Sequence, residues 1–302
     1  MSTAVSETFA PIDTPEGQAQ RKTGIGASMA PVLCGVSPYK KSVLAAYLYY
    51  TTESADDPAS PEMDWGNEME EVIRNHARRE LNCDISKPVT RRHPDYPFMY
   101  ASPDGLLDNG RGLEIKNVGR FHAKGWGEPW TDECPPAVII QCQQQAFVFD
   151  MPEVVVAACI MGAPPAYYFV RRSPKLIASL IDIERNFWNQ VECRIPPPAD
   201  WTDPRTPELI ALLHRPTEGK EVELGLHDAT MVEEYTLLGL AAKEADKKRS
   251  EIKGRLIERL GDAELGRLPG GGKISRKQIH KKAYEVGASS YFNFLISTGK
   301  GS

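Results

Sequence analysis

Apolar residues recur along this chain with a spacing that changes between helical and strand-like periods, which predicts a mixed α/β fold. Helical spacing predicts helices over 42–50, 63–81, 137–149, 174–191 and 229–260, and a short helix beginning near Ser28. Strand-like runs predict strands over 83–90, 97–107, 111–118, 154–161 and 167–171. The continuous apolar run at 154–160 is typical of a central strand that is buried on both faces. We therefore expect a mixed central sheet flanked by helices.

Two changes in composition divide the chain. Residues 1–19 are dominated by small, polar and proline residues, which predicts a flexible tail. Three prolines at 196–198 form a stiff boundary, so residues 20–195 are predicted to form the main domain. Residues 196–302 are then a C-terminal extension, helical at first, with a turn at 269–272 and a basic strand over 273–282. A second strand or short helix is predicted over 284–296.

Composition and charge limit the functions, metal sites and cellular locations that we expect for this protein. The net charge of −5 argues against a passive DNA-coating protein, which would be basic, but not against a nuclease, whose metal-binding acids lower the net charge. Residues 243–282 hold 13 Lys or Arg against 6 Asp or Glu, so a local basic surface is available. The six cysteines form no Cys-x-x-Cys pair, which argues against zinc. With no apolar run of the ~20 residues that span a membrane and no secretory signal, we expect a cytoplasmic protein.

The strongest candidate chemistry is a pair of acids on two neighbouring strands. Asp104 precedes Glu114 by ten residues, and Asp108-Asn109-Gly110 between them is a tight-hairpin signal. Because side chains alternate along a strand, Glu114 and Lys116 share a face while Ile115 points into the core. Two carboxylates and a lysine on one face favour a Mg²⁺ site beside an activated water. An ordinary hairpin with surface acids and a Glu–Lys pair is the alternative.

Four further motifs occur in order around these residues: Arg21 to Ser28, Gly35 to Tyr39, Trp65 to Glu70, and Gln141 to Gln145. Together with Pro103-Asp104 and Glu114-Ile115-Lys116, they resemble the phage lambda exonuclease, or YqaJ-type viral recombinase, family. That family belongs to the PD-(D/E)xK nucleases, which have a restriction-endonuclease-like core. The resemblance covers roughly residues 20–195.

The resemblance implies a role for each matching residue. Mg²⁺, or Mn²⁺ in its place, would be held by Asp104, Glu114 and the carbonyl of Ile115, with Glu70 of the Gly-x-x-x-Glu helix motif supporting a second ion. Lys116 would orient or deprotonate the attacking water. A helical glutamine would contact the scissile region, and alignment favours Gln141 over Gln143 or Gln145, although Gln141 and Gln145 share a helix face.

The resemblance also implies a pocket for a terminal 5′-phosphate. Its members would be Arg21, Ser28 and Ser102, and the physics fits, since a guanidinium forks onto phosphate and hydroxyls donate to its oxygens. A surface arginine and a capping serine are the alternatives. Phe121, Trp126 and Trp130 follow the catalytic strand and either stack on bases or hold their loop against the core.

The sequence thus predicts a Mg²⁺-dependent double-strand DNA exonuclease. By resemblance it would run 5′ to 3′, release 5′-mononucleotides and leave a 3′ single strand for annealing-type recombination. Its partners would be DNA ends and a single-strand annealing protein, it would be a homo-oligomer, trimeric by resemblance, and it would act in a bacterial cell as a phage or prophage product. The alternatives are a structure- or site-specific endonuclease of the same fold and a non-catalytic DNA-binding protein.

Overall fold

The computed structural model describes residues 9–10, 14–39, 42–52 and 61–280, and the chain divides into two units, 1–215 and 216–302. The helices are α1 Pro15–Arg21, α2 Ala30–Leu33, α3 Val43–Thr51, α4 Pro61–Glu80, α5 Pro136–Val148, α6 Pro174–Glu192, α7 Thr206–Leu213 and α8 Leu226–Leu260. The strands are β1 Ile25–Gly26, β2 Ile85–Ser86, β3 Arg91–Arg92, β4 Met99–Ala101, β5 Gly105–Leu107, β6 Gly112–Val118, β7 Glu153–Ile160, β8 Ala166–Arg171, β9 Leu265–Arg267 and β10 Lys273–Ser275.

The predicted mixed sheet is confirmed as five strands in the order β2-β5-β6-β7-β8. Strands β6 and β7 run parallel, and the other neighbours run antiparallel. The helix α5 lies between β6 and β7 in sequence, as a parallel crossover requires. The apolar run of β7 is the centre of this sheet and is almost completely buried.

Alternation along β7 assigns each helix to a face. Val154, Val156 and Ala158 belong to a core cluster with Cys142 of α5. Val155 and Ala157, one residue out of phase, belong to a cluster with Ile73 and Ala77 of α4. The sheet therefore lies between α4 and α5, and both faces of its central strand contact apolar side chains.

The single strand predicted over 97–107 is wrong, because the chain changes sheets at 102–104. Strand β4 lies in a second sheet of order β1-β4-β3, whereas β5 lies in the five-stranded sheet. Pro103 has no amide hydrogen to donate to a ladder, so a strand breaks readily there. The amide of Asp104 donates to the carbonyl of Leu113 at 2.9 Å and enters the other sheet. This crossing places Asp104 at the point where the two sheets meet.

Two short helices were not predicted. Helix α1 begins within the predicted tail, because Thr14 accepts a hydrogen bond from the amide of Gly17 and Pro15 occupies its first turn. Helix α7 follows the proline boundary, and its Leu213 packs against the core cluster that includes Tyr47 of α3. The first compact unit, which includes α7, ends at residue 215.

The second unit consists of α8 and a β9–β10 hairpin. The predicted turn at 269–272 joins the two strands, and Gly270 and Gly271 both have positive φ. The prediction for 284–296 lies outside the described residues. Across the described ranges, none of the helices combines the length and the apolar character that crossing a membrane requires.

Helix α6 buries a carboxyl group that has no hydrogen-bond partner. Glu184 is fully buried, and burial raises its pKa well above the ordinary value. When the pKa of a carboxyl is higher in the folded than in the unfolded state, its contribution to stability is most favourable below the unfolded pKa and is lost as pH rises through the folded pKa. The stability of the protein should therefore fall as pH rises from the ordinary glutamate pKa towards the raised one.

We expect Glu184→Met to stabilise the protein at pH 7 by about 1–4 kcal/mol, because an apolar side chain of similar size removes a buried unpaired acid. The gain should shrink at pH 4, where the native carboxyl is neutral. Chemical denaturation at both pH values measures this, with Glu192→Gln on the exposed side of α6 as the control. Equal stability changes at both pH values would contradict the prediction.

Candidate active site

The two predicted carboxylates lie together at the β5–β6 hairpin. Strands β5 and β6 pair antiparallel with Gly105 opposite Leu113, so Asp104 lies beside Glu114. The Asp104 carboxylate accepts a hydrogen bond from the amide of Ile115 at 2.6 Å, which fixes its orientation. Gly110 has a φ of 81° in the turn, as the Asn-Gly signal predicts. The predicted convergence of the acids is confirmed.

Glu114 is the centre of a hydrogen-bonded cluster on the α5 face of the sheet. Its side chain is almost completely buried, with Oε1 2.6 Å from the Lys116 ammonium and 2.7 Å from Gln141 Nε2. Gln145 Nε2 donates to the other oxygen, Oε2, at 2.5 Å. Lys116 in turn donates to Gln141 Oε1 at 2.9 Å. The carboxylate, the lysine and the two glutamines therefore form one connected network.

The spacing of the glutamines on α5 separates those near the acids from those with other contacts. Gln141 and Gln145, four residues apart, both reach Glu114, whereas Gln143 bonds to Arg171 and Ser173 at the start of α6. Gln144 donates to two carbonyls, those of Ile25 in β1 and Tyr100 in β4. The structure thus brings Gln141 and Gln145 to the candidate site, and Gln144 ties that helix to the second sheet.

The pKa values of Asp104 and Lys116 are both raised in the folded protein. Burial, and next the neighbouring Glu114, raise the pKa of the Asp104 carboxyl well above its ordinary value, and Glu70 adds to this effect. For Lys116, burial acts to lower the pKa, but the Glu114 carboxylate outweighs it, so the net pKa is raised. The Glu114 carboxylate therefore favours the ammonium form of Lys116.

Helix α4 contributes a residue that the sequence analysis missed. Arg74 is 2% exposed although it lies on a helix with many solvated charges. Its Nε donates to the carbonyl of Asp104 at 2.9 Å, and its terminal nitrogen lies 3.5 Å from Glu70. The i,i+4 spacing from Glu70 was the available signal, since that spacing puts both on one helix face.

A divalent cation fits the donors that the structure assembles. Asp104 and Glu114 are hard oxygen donors, and a cation between them would offset both the burial and the neighbouring Glu114 charge that raise the pKa of Asp104. Within the described ranges no three His, Cys, Asp or Glu side chains form a group that could hold a metal ion. The candidate set is therefore two carboxylates and the Ile115 carbonyl. Glu70, ion-paired with Arg74, stands outside it, and its role as a ligand stays a prediction.

The three predicted phosphate-binding residues lie around the parallel pairing of β1 and β4. Gly26 is opposite Tyr100, so the two strands end at the same edge with the exposed Ser28 and Ser102 following them. Arg21 ends α1, and its guanidinium lies 6.0 Å from the Tyr100 ring. Asp104 comes two residues after Ser102. The topology thus brings both serines to the edge that adjoins the carboxylates.

The aromatic residues after β6 have different surroundings. Trp126 packs against Tyr168 and the core cluster under α5, and Trp130 stacks on Tyr167. Both tryptophans hold their loop against the protein, as one of the two alternatives predicts. Phe121 is 94% exposed and has no such packing.

One family model and several solved structures are similar to this chain. Residues 18–152 match the model of the YqaJ-like viral recombinase domain. The fold is similar to that of LHK-Exo, an alkaline exonuclease from Laribacter hongkongensis, in two crystal structures. The first has 20% sequence identity over 59% of this chain and 92% of that one, with a TM-score of 0.49. The second, the complex with dAMP, has 20% identity over 60% of this chain and 94% of that one, with a TM-score of 0.51. A phage-related exonuclease from Haemophilus somnus 129PT matches at 11% identity over 57% and 96% (TM-score 0.45). No curated protein is significantly similar.

Proposed function

We propose that this chain, whose residues 18–152 match the model of the YqaJ-like viral recombinase domain, is a metal-dependent 5′-to-3′ exonuclease of double-stranded DNA. The match to this family model supports a nuclease role. The observation that carries the finer proposal is the network of Glu114, Lys116 and Gln141 beside Asp104, at the edge where Ser28 and Ser102 lie. The same fold in a nuclease that binds dAMP supports a nucleoside 5′-monophosphate as the product.

The residues of the cluster have complementary tasks in phosphodiester hydrolysis. Asp104, Glu114 and the carbonyl of Ile115 would hold Mg²⁺ or Mn²⁺, which when bound supplies Lewis-acid stabilisation of the phosphate and a more acidic water. Lys116 would orient the attacking water or take its proton, and Gln141 holds the lysine amine in place through its Oε1. Arg74 fixes the backbone of Asp104.

A 5′-phosphate pocket explains why the enzyme would start at a DNA end. Arg21, Ser28 and Ser102 would bind the terminal phosphate, because a guanidinium and two hydroxyls supply several charge-assisted hydrogen bonds. The 3′ strand that survives would be handed to a single-strand annealing protein for recombination in a bacterial cell. The oligomer would keep the enzyme on its substrate.

We expect wild-type protein with Mg²⁺ to degrade linear duplex DNA faster from 5′-phosphorylated than from 5′-hydroxyl ends. Arg21→Ala should abolish that preference, lowering the rate on phosphorylated ends about 10–100-fold, the loss of one or two charge-assisted bonds. Mononucleotide release measures both. Lys175→Ala, which removes an exposed cation at the start of α6, is the control.

If the wild type degrades both kinds of end at the same rate, the proposed 5′-phosphate pocket is contradicted, whereas the proposed nuclease centre is not. Cutting of covalently closed circles would favour the endonuclease alternative. DNA binding without cleavage would favour the non-catalytic one.

A further inference from the structure

Helix α8 carries an apolar stripe that the described residues of its own unit leave exposed. No residue of this 35-residue helix is buried, and five large apolar side chains on one side of it are between 41% and 63% exposed: Met231, Tyr235, Leu238, Ile252 and Leu256. The β9–β10 hairpin approaches the end of the helix, where Leu260 lies close to Gly266. An exposed apolar stripe of this length indicates an interaction surface.

The spacing of the stripe is that of a coiled coil. Starting at Met231, its positions follow steps of four and three residues to Leu256, and they are 231, 235, 238, 242, 245, 249, 252 and 256. These alternating steps are the a and d positions of a heptad repeat. Seven of the eight are Met, Tyr, Leu, Ile or Ala, and Arg249 is the one charged member. The middle pair is Ala242 and Ala245. The repeat spans about 38 Å of helix, since each residue rises about 1.5 Å.

Charge is distributed unequally along the helix. Residues 226–242 contain three acidic side chains and no Lys or Arg, whereas residues 243–260 contain seven Lys or Arg against four acids. A second α8 laid antiparallel would place each acidic half beside a basic half. A parallel copy would place like halves side by side, with Lys248 next to Lys253 of the second copy at flanking positions.

We propose that α8 pairs with α8 of a second copy of this chain as an antiparallel coiled coil. In the register centred between Ala242 and Ala245, Met231 faces Leu256 of the second copy, Tyr235 faces Ile252, and Leu238 packs along the aliphatic stem of Arg249. The two alanines meet at the centre, where their small side chains let the helices approach closely. Glu234 then flanks Arg255 of the second copy, twice by symmetry.

This pairing predicts an even number of copies. A ring of three, which the resemblance implies, would leave one α8 unpaired unless two rings joined through these helices. The inference is independent of the nuclease chemistry, because no residue of α8 belongs to the candidate active site.

The test uses the full chain and light scattering after size-exclusion chromatography at micromolar concentration. The wild type should have a mass that is an even multiple of 33.5 kDa. Leu238→Glu with Ile252→Glu should halve the mass, because both changes place charge in the seam, whereas Leu240→Glu on the opposite side of the helix should not. Circular dichroism checks that each variant stays helical.

A charge exchange distinguishes the antiparallel arrangement. Glu234→Lys should weaken self-association about tenfold, because two symmetric attractive pairs become repulsive. Adding Arg255→Glu should restore it, which a parallel pair would not do, since these positions do not meet there. A wild-type mass of one or three copies, an unchanged mass after the double seam substitution, or no rescue by the charge exchange would overturn the proposal.

Discussion

Replacement of Lys116 with methionine is expected to reduce the rate of DNA hydrolysis by about 10²–10⁴-fold, the usual contribution of a positioned proton-transfer group. Lys116 is the only described cation within hydrogen-bond distance of Glu114, at 2.6 Å, and it also donates to Gln141. Methionine keeps most of the side-chain length but removes every donor. The rate of mononucleotide release under saturating Mg²⁺ measures the loss.

The variant also leaves the buried Glu114 without its ion partner, so some loss of stability is expected as well. Circular dichroism at the assay temperature separates inactivity from unfolding. The matched control is Lys175→Met, which removes an exposed lysine far along the chain. A folded Lys116→Met protein within tenfold of wild-type activity would show that the lysine is structural.

Addition of Mg²⁺ is expected to raise the melting temperature of the wild type and not that of Asp104→Asn. A ligand at 100 times its dissociation constant stabilises a fold by about 2.7 kcal/mol, or roughly 5–10 °C for a unit of this size. In the absence of metal, Asp104→Asn should melt higher than wild type, because it removes a partly buried carboxylate whose pKa is raised by burial and by Glu114. One substitution would thus stabilise the protein and abolish its response to metal.

The pH dependence of the Mg²⁺ effect has a definite sign. Protons compete with the metal for Asp104, so the melting shift should grow as pH rises through the raised pKa of that carboxyl. Differential scanning fluorimetry at several pH values measures it. Asp132→Asn, at an exposed acid outside the site, should keep the wild-type response. A shift in Asp104→Asn equal to that of wild type would place the metal elsewhere.

The local pattern of the sequence was sufficient for the hairpin and the central strands. Asp108-Asn109-Gly110 predicts the turn, and two-residue alternation predicts that Glu114 and Lys116 share a face while Ile115 enters the core. Helical spacing likewise predicts that Gln141 and Gln145 lie together. These features depend on contacts between residues that are close in sequence or on one strand.

The features that the sequence did not predict depend on tertiary context. The segment from Ala101 to Gly105 passes from one sheet to the other. The sequence predicts one continuous strand there, because no local feature of the sequence marks the change of sheets. Arg74 is charged, so the sequence predicts an exposed side chain, but its guanidinium donates a hydrogen bond to the carbonyl of Asp104 inside the protein. Helix α7 lies beyond a proline boundary and is held by packing on α3.

The most direct test of the central claim compares linear with covalently closed circular duplex DNA, each incubated with wild-type protein and Mg²⁺. For a metal-dependent exonuclease we expect release of 5′-mononucleotides from the linear molecule, no change in the closed circle, and no release in the presence of a chelator. Cleavage of the closed circle, or an intact linear molecule, would contradict it.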